Sequence, residues 1–290
     1  MSLPPRPVVG VLHPGAMGAA VGSALRPRVG AVIWADAGRS HATAKRAELA
    51  DLVAVPDVAA VARRSDVIVS VCPPHAARDV AAEVAAALTD GANAVFGGSD
   101  APNAALAPSA GARRRPIYVD ANAVSPATVR DIGDRLGADR VVDGAIIGPP
   151  AWERGHTVLW LSGPAAAEVA ALFAGSPFDA RVLGSDLGTA SALKACFALQ
   201  SKALPAIWLE MAAAARSYGV DDALRGELDR MGIDFAAALA AASRGAGKAW
   251  RWVGEMDEAG DAVAAVDLPD GFSRAAAEIY RRLADGRLAI

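Results

Sequence analysis

Val8-Val9-Gly10-Val11-Leu12-His13-Pro14-Gly15-Ala16-Met17-Gly18 carries an apolar segment into a glycine-bearing turn, and Ala19-Ala20-Val21-Gly22-Ser23-Ala24-Leu25 follows at once. This is the order of a buried parallel strand, a tight loop and a helix start. A helix start presents unpaired N–H groups and a partial positive charge, so a phosphate would sit here. Gly15 and Gly18 fill the last two glycine places of a G-x-G-x-x-G fingerprint, but His13 stands at the first and Gly10 lies back inside the strand. Alone the motif is weak, because an alanine-rich chain makes glycine-spaced turns often.

Working outward, 290 residues are enough for one large domain or two, each with a real core. The net charge of -3 leaves no basic footprint, so nucleic acid is not expected as a partner. Arg113-Arg114-Arg115 is a local exception and reads as a solvated loop. Cys72 and Cys196 lie far apart in apolar stretches, as free thiols do in a reducing compartment. The four histidines, at 13, 41, 75 and 156, lack metal-ligand spacing, so no metal is expected. Residues 1–7 lack the apolar core of a signal peptide, and no apolar run is long enough to span a membrane. A soluble, cytoplasmic protein is expected.

The first half alternates between strand-like and helix-like segments, as an α/β parallel sheet requires. Strands are expected at 8–12, 31–35, 52–55, 67–71, 94–96, 117–119, 141–142 and 157–161, and helices at 16–25, 41–50, 57–64 and 75–88. Ser125-Pro126 signals a further helix start, with Ser as cap and Pro at the first helical position. Beyond Gly184 the pattern becomes helical only. One long apolar helix is expected over 188–218, broken or kinked at Pro205, then helices at 221–231, 234–242, 248–265 and 271–284. The expected architecture is a Rossmann-type α/β domain over 1–185 and an all-helical domain over 186–290.

In an open α/β sheet, ligands bind at the carboxyl ends of the strands. The first such end supplies His13, Pro14, Gly15, Ala16 and Met17, and the second supplies Asp36, Arg39 and Ser40. The fourth supplies Val71, Cys72 and Pro73, and a later one supplies Asn122. Asp36 could accept hydrogen bonds from a ribose 2′-hydroxyl. Gly38-Arg39-Ser40 could instead hold a 2′-phosphate with guanidinium, hydroxyl and backbone donors. We read the loop in favour of NADP over NAD; a surface Asp36–Arg39 pair is the plain alternative. Lys194 lies in an otherwise uncharged helical stretch. It either snorkels from an apolar surface or is desolvated with a lowered pKa, as a general acid/base near neutrality requires. Lys202, two turns on, is a weaker candidate.

Taken together, these segments resemble the β-hydroxyacid dehydrogenase family, the group of 6-phosphogluconate and 3-hydroxyisobutyrate dehydrogenases. The likeness is greatest to a branch with a helical C-terminal domain of unassigned function. Gly15-Ala16-Met17-Gly18, Val71-Cys72-Pro73 and Asp120-Ala121-Asn122-Ala123-Val124-Ser125-Pro126 follow the family's loops in order. Asp143-Gly144-Ala145-Ile146-Ile147-Gly148-Pro149 and the helix from Gly188 to Lys194 continue them. Lys248 to Met256 and Leu268 to Phe272 look like the helical domain.

The resemblance implies a nicotinamide cofactor on the first domain and hydride transfer to or from a small-molecule substrate. Lys194 would exchange the proton on the substrate oxygen. Asn122, Gly148 and Arg251 are its candidate substrate contacts. A homodimer through the helical domain is expected, because a long apolar helix needs cover. Departures matter too. Ala198 and Ile147 replace an Asn and a Ser that hold substrate, and Asn122-Ala123 replaces Ser-Thr, which makes the pocket more apolar and poorer in carboxylate donors. An imine reductase, or a protein that binds NADP without catalysis, are the competing readings.

Overall fold

The structure, a computed structural model, describes residues 3–93, 115–244 and 246–288. The expected strand at 94–96 and the arginines at 113 and 114 lie outside them. Two compact units emerge. The first comprises Met1–Asn122 and Pro126–Ser191, the second Ala123–Ser125 and Ala192–Ile290. The division thus falls six residues after 185 and gives a three-residue loop of the first half to the second unit.

The first unit is built on one eight-stranded sheet in the order β3-β2-β1-β4-β5-β6-β7-β8. Its strands are β1 (Val8–Leu12), β2 (Ala31–Ala35), β3 (Val53–Val55), β4 (Val67–Ser70), β5 (Ile117–Asp120), β6 (Val141–Ile147), β7 (Thr157–Ser162) and β8 (Phe178–Gly184). The first six are parallel neighbours in the 3-2-1-4-5-6 order of a dinucleotide-binding sheet, so the strand order reverses between β1 and β4. β1, β2, β4 and β5 are almost wholly buried, which explains their continuous apolar sequences.

Among the described residues, six α-helices belong wholly to this unit: α1 (Ala16–Leu25), α2 (His41–Leu49), α3 (Val58–Arg64), α4 (Ala77–Asn93), α5 (Pro126–Leu136) and α6 (Ala166–Leu172). Asp57 caps α3 by accepting from the Ala60 N–H at 2.6 Å. Pro126 opens α5 as expected. Gly22 lets α1 settle on Leu52, since a Cβ there would come within 2.7 Å of its side chain.

Three elements depart from expectation. β6 runs to Ile147 and turns antiparallel into β7 through Gly148, whose φ of +131° is closed to other residues. α6 and β8 were not expected at all. β8 is largely exposed and carries Asp179 and Arg181, an edge composition that hides the strand from an apolar pattern.

The second unit is helical in its described residues. α7 (Thr189–Ala198) begins in the first unit and continues into this one, followed by a π-helical turn over Leu199–Ala203. α8 (Leu204–Tyr218), α9 (Asp221–Arg230), α10 (Phe235–Ser243), α11 (Ala249–Ala264) and α12 (Gly271–Ala284) complete it. The expected interruption of the 188–218 helix is this π turn, which ends two residues before Pro205. Tyr280 and Met256 are fully buried at the centre of the helical core, with Leu209 beside them. Trp252 meets Tyr280 edge-on at 5.0 Å.

Candidate functional site

The β1–α1 loop is compressed. Gly15 N–H donates to the His13 carbonyl at 2.7 Å, and a Cβ on Gly18 would lie 2.5 Å from that same oxygen. Gly18 therefore allows the helix to close on the loop, while His13 takes the left-handed conformation at φ +65°. Such a backbone costs a non-glycine residue roughly 1 kcal/mol or more. Pro14 is buried and Met17 packs against the core, so both shape the turn. Ala16 is exposed, and Gly15 begins α1 with no side-chain cap and nothing within 4 Å of where its Cβ would stand. The loop thus leaves open space in front of uncapped N–H groups.

The β2–α2 loop supplies the next observation. Gly38 turns at φ +70° and the Arg39 N–H donates to the Asp36 carbonyl at 3.1 Å. Arg39 Nε and His13 Nδ1 are both buried without a hydrogen-bond partner. A buried donor left unmade costs on the order of 1–3 kcal/mol, more for a charged group. Burial first, then the charge of Arg39, hold the imidazole of His13 down at about 4. Ser40 spends its hydroxyl on capping α2, accepting from the Thr43 N–H at 3.3 Å. Asp36 is exposed. An orphaned guanidinium N–H beside an open, uncapped helix start fits an anionic dinucleotide.

Asn122 does something other than expected. Its carbonyl accepts from the Cys72 N–H at 2.6 Å, and its amide donates to Ser70 Oγ at 3.2 Å and Asp120 Oδ2 at 2.9 Å. Both amide protons are engaged, so Asn122 ties the ends of β4 and β5 together and has no N–H left for a substrate. Burial pushes the Cys72 thiol up to about 11, which leaves it unreactive. Val71 and Pro73 remain partly exposed around it.

In the second unit, Lys194 lines a small cleft with Ala123, Val124, Ala198, Glu255 and Glu258. Glu258 accepts from the Ser125 N–H at 2.6 Å, which fixes the three-residue loop on α11. Lys202 and Glu255 form an ion pair at 2.9 Å, both largely buried. Lys194 is only half-buried as a residue, yet loss of water around its amino group lowers it to about 8. The charge of Glu255 opposes that fall, and the charge of Lys202 adds to it. Lys194 therefore exchanges protons close to neutrality.

Two expected substrate contacts have structural surroundings of their own. Arg251 is exposed and stacks over the Trp250 ring at 5.8 Å, outside the cleft lining. Gly148 is exposed and required by the β6–β7 turn, where a Cβ would meet the His156 carbonyl at 2.3 Å.

Sequence reasoning gave no role to Asp143, which is wholly buried at the centre of a polar network. It accepts from the Gly188 N–H at 3.0 Å, the Ser191 N–H at 2.9 Å, Ser191 Oγ at 2.6 Å and Ser162 Oγ at 3.2 Å. Its carboxylate thus anchors the start of α7, the helix that carries Lys194, where a negative charge is favoured. Burial still raises its pKa, against those hydrogen bonds. Glu255 and Glu258 were also missed; their spacing of three residues on α11 puts both on one face.

Among the described residues no group of His, Cys, Asp and Glu could hold a metal ion, and no helix is long and apolar enough to cross a membrane. Residues 215–283 match a family described as a domain of unknown function, DUF1932. An uncharacterized 28.5 kDa protein in the 7S RNA 5′ region of Methanothermus fervidus is 31% identical over 188 residues. That alignment takes in 64% of this chain and 62% of the relative, so it spans less than two thirds of the relative's length.

A solved conserved protein of unknown function, described as structurally similar to 3-hydroxyacid dehydrogenases, is 26% identical with a TM-score of 0.63, covering 97% of this chain and 98% of its own. The 3-hydroxyisobutyrate dehydrogenase of Mycobacterium tuberculosis, solved with L-serine, has a TM-score of 0.66 at 16% identity, over 98% and 95% of the two chains. A Rossmann-like sheet in 3-2-1-4-5-6 order, followed by helices that match DUF1932, gives this chain the fold of the 3-hydroxyacid dehydrogenases.

Proposed function

We propose that the chain is an NAD(P)-dependent oxidoreductase, with NADP preferred, that acts on an alcohol or its carbonyl counterpart with Lys194 as general acid/base. The observation that carries this reading is a lysine at about 8 lining a cleft, on a chain whose first unit offers an open, uncapped helix start beside an orphaned Arg39. A nicotinamide dinucleotide, when bound, supplies or accepts the hydride, so the protein itself has only a proton to manage.

Arg39 would hold the 2′-phosphate, and the N–H groups that open α1 would face the pyrophosphate. In oxidation, neutral Lys194 Nζ takes the proton of the substrate hydroxyl. In reduction, its ammonium form returns that proton to the forming alkoxide. At pH 7 about one lysine in ten is already neutral for a pKa near 8, so both directions are open to one side chain. Ala198 offers no hydrogen bond to a substrate carboxylate, and Glu255 and Glu258 repel one. The reading therefore favours a neutral or cationic substrate over a small hydroxyacid.

Lys194→Ala tests it. The variant is expected to bind NADPH as the parent does and to lose turnover by about 10²–10⁴-fold. In the parent, kcat/KM for oxidation should rise with pH to a midpoint near 8, and kcat/KM for reduction should fall through the same midpoint. Unchanged turnover in the variant would remove Lys194 from the chemistry. Tight NADPH binding without turnover on any alcohol, ketone or imine would favour a binding protein instead.

A further inference from the structure

Pro205 has no N–H to continue a helical ladder, and the chain meets it with the π turn over Leu199–Ala203, closed by the Leu204 N–H on the Leu199 carbonyl. The widened turn changes which residues share a face. In an unbroken α-helix, Lys202 would stand about 80° round the axis from Lys194; one extra residue in the turn brings the two to within about 20°. The turn is held from α12, where the Tyr280 hydroxyl donates to the Lys202 carbonyl at 2.7 Å. α11 answers with Glu255, which meets Lys202 at 2.9 Å and lines the cleft that Lys194 also lines.

We propose that Glu255, held in place by Lys202, is the positioning residue that fixes the protonation of Lys194, and with it the pH range in which the chain works. The functional half of this rests on Lys194 being the acid/base group; the electrostatic half does not. The charged groups that face Lys194 include Glu255 and Glu258 on α11 and Lys202 on the π turn. Tyr280 on α12 stays neutral, because burial and then the charge of Glu255 raise it far above the usual tyrosine range.

Glu255 and Lys202 act on Lys194 with opposite sign, so removing each gives opposite results. Glu255→Gln strips away the stabilising negative charge and leaves the positive charge of Lys202 unbalanced, so the midpoint of Lys194 should fall by about one pH unit or more from 8. Lys202→Met leaves Glu255 to Lys194 alone, so the midpoint should rise by about as much. The double variant Glu255→Gln/Lys202→Met, which buries no unmatched charge, should lie between them. A merely structural role predicts otherwise: loosening the cleft admits water and carries Lys194 upward in every variant.

The readout is the ¹³Cε resonance of Lys194 in labelled protein, assigned by its loss in Lys194→Arg and followed through a pH titration. It needs neither cofactor nor turnover. A fall in Glu255→Gln with a rise in Lys202→Met supports the proposal. Should Glu255→Gln fail to fold, a rise in Lys202→Met that the double variant reverses supports it equally. Shifts of one sign in all variants, or none, overturn it. Opposite shifts in a protein with no turnover sink the oxidoreductase reading and leave this one standing.

Discussion

In the first unit, His13 Nδ1 and Arg39 Nε are buried with nothing to bond, whereas in the second, Lys202 and Glu255 meet at 2.9 Å beside Lys194. The energetic cost of burial is thus left open in one place and largely closed in the other. An unmet guanidinium N–H is tolerated where a ligand will meet it. A matched ion pair around a lysine sets a proton affinity before any ligand arrives. On the proposed function, the contrast is that of a binding surface completed from outside and a proton-handling cleft whose charges are arranged by the chain itself. Asp143 takes the second strategy furthest, since its carboxylate accepts four hydrogen bonds where α7 begins.

That contrast makes the largest expected effect a structural one. Asp143→Ala removes the acceptor from two backbone N–H groups and two hydroxyls in a buried setting. It should lower stability by about 3–5 kcal/mol, measured by urea unfolding. Asp143→Asn keeps the size and some acceptors, and should cost less than half of that. A loss below about 1 kcal/mol for the alanine variant would mean that α7 starts securely without this anchor.

Next in size is Arg39→Met. With its Nε unmet in the free protein, it should leave apo stability unchanged or slightly raised, and weaken NADPH by about 10–100-fold, or about 1.5–3 kcal/mol. NADH, which lacks the 2′-phosphate, should bind the variant and the parent alike. Equal losses for both cofactors, read by fluorescence titration, would place Arg39 elsewhere than at a 2′-phosphate.

How far these features could be read in advance depends on the range of the interactions behind them. β1, α1 and the glycines between them follow from neighbouring residues, and α12 forms over Gly271–Ala284 as its apolar period predicts. The strand-end loops were legible because a parallel sheet dictates where its carboxyl ends lie. Asp143 was not, because its partners stand 19 to 48 residues further on and its flanks are ordinary apolar strand. Nor was the pairing of Lys202 with Glu255, which spans helices separated by most of the second unit. Asn122 was misread for the same reason. Its amide looked available until Ser70, Cys72 and Asp120 closed around it.

The smallest effect probes the strained end of the binding surface. His13 holds φ at +65°, where glycine rests without strain. His13→Gly should therefore relieve roughly 1–2 kcal/mol of strain, offset by about 0.5–1 kcal/mol of extra freedom in the unfolded chain. The net gain in apo stability should be about 1 kcal/mol or less. The same change removes a neutral imidazole whose Nδ1 is buried beside Arg39, so NADPH affinity should fall several-fold even as the protein becomes slightly more stable. Those opposite signs distinguish a side chain kept for its ligand from one merely tolerated in a turn. A stability gain with unchanged NADPH affinity would assign His13 to the turn alone and leave Arg39 as the unmet group that calls for the cofactor.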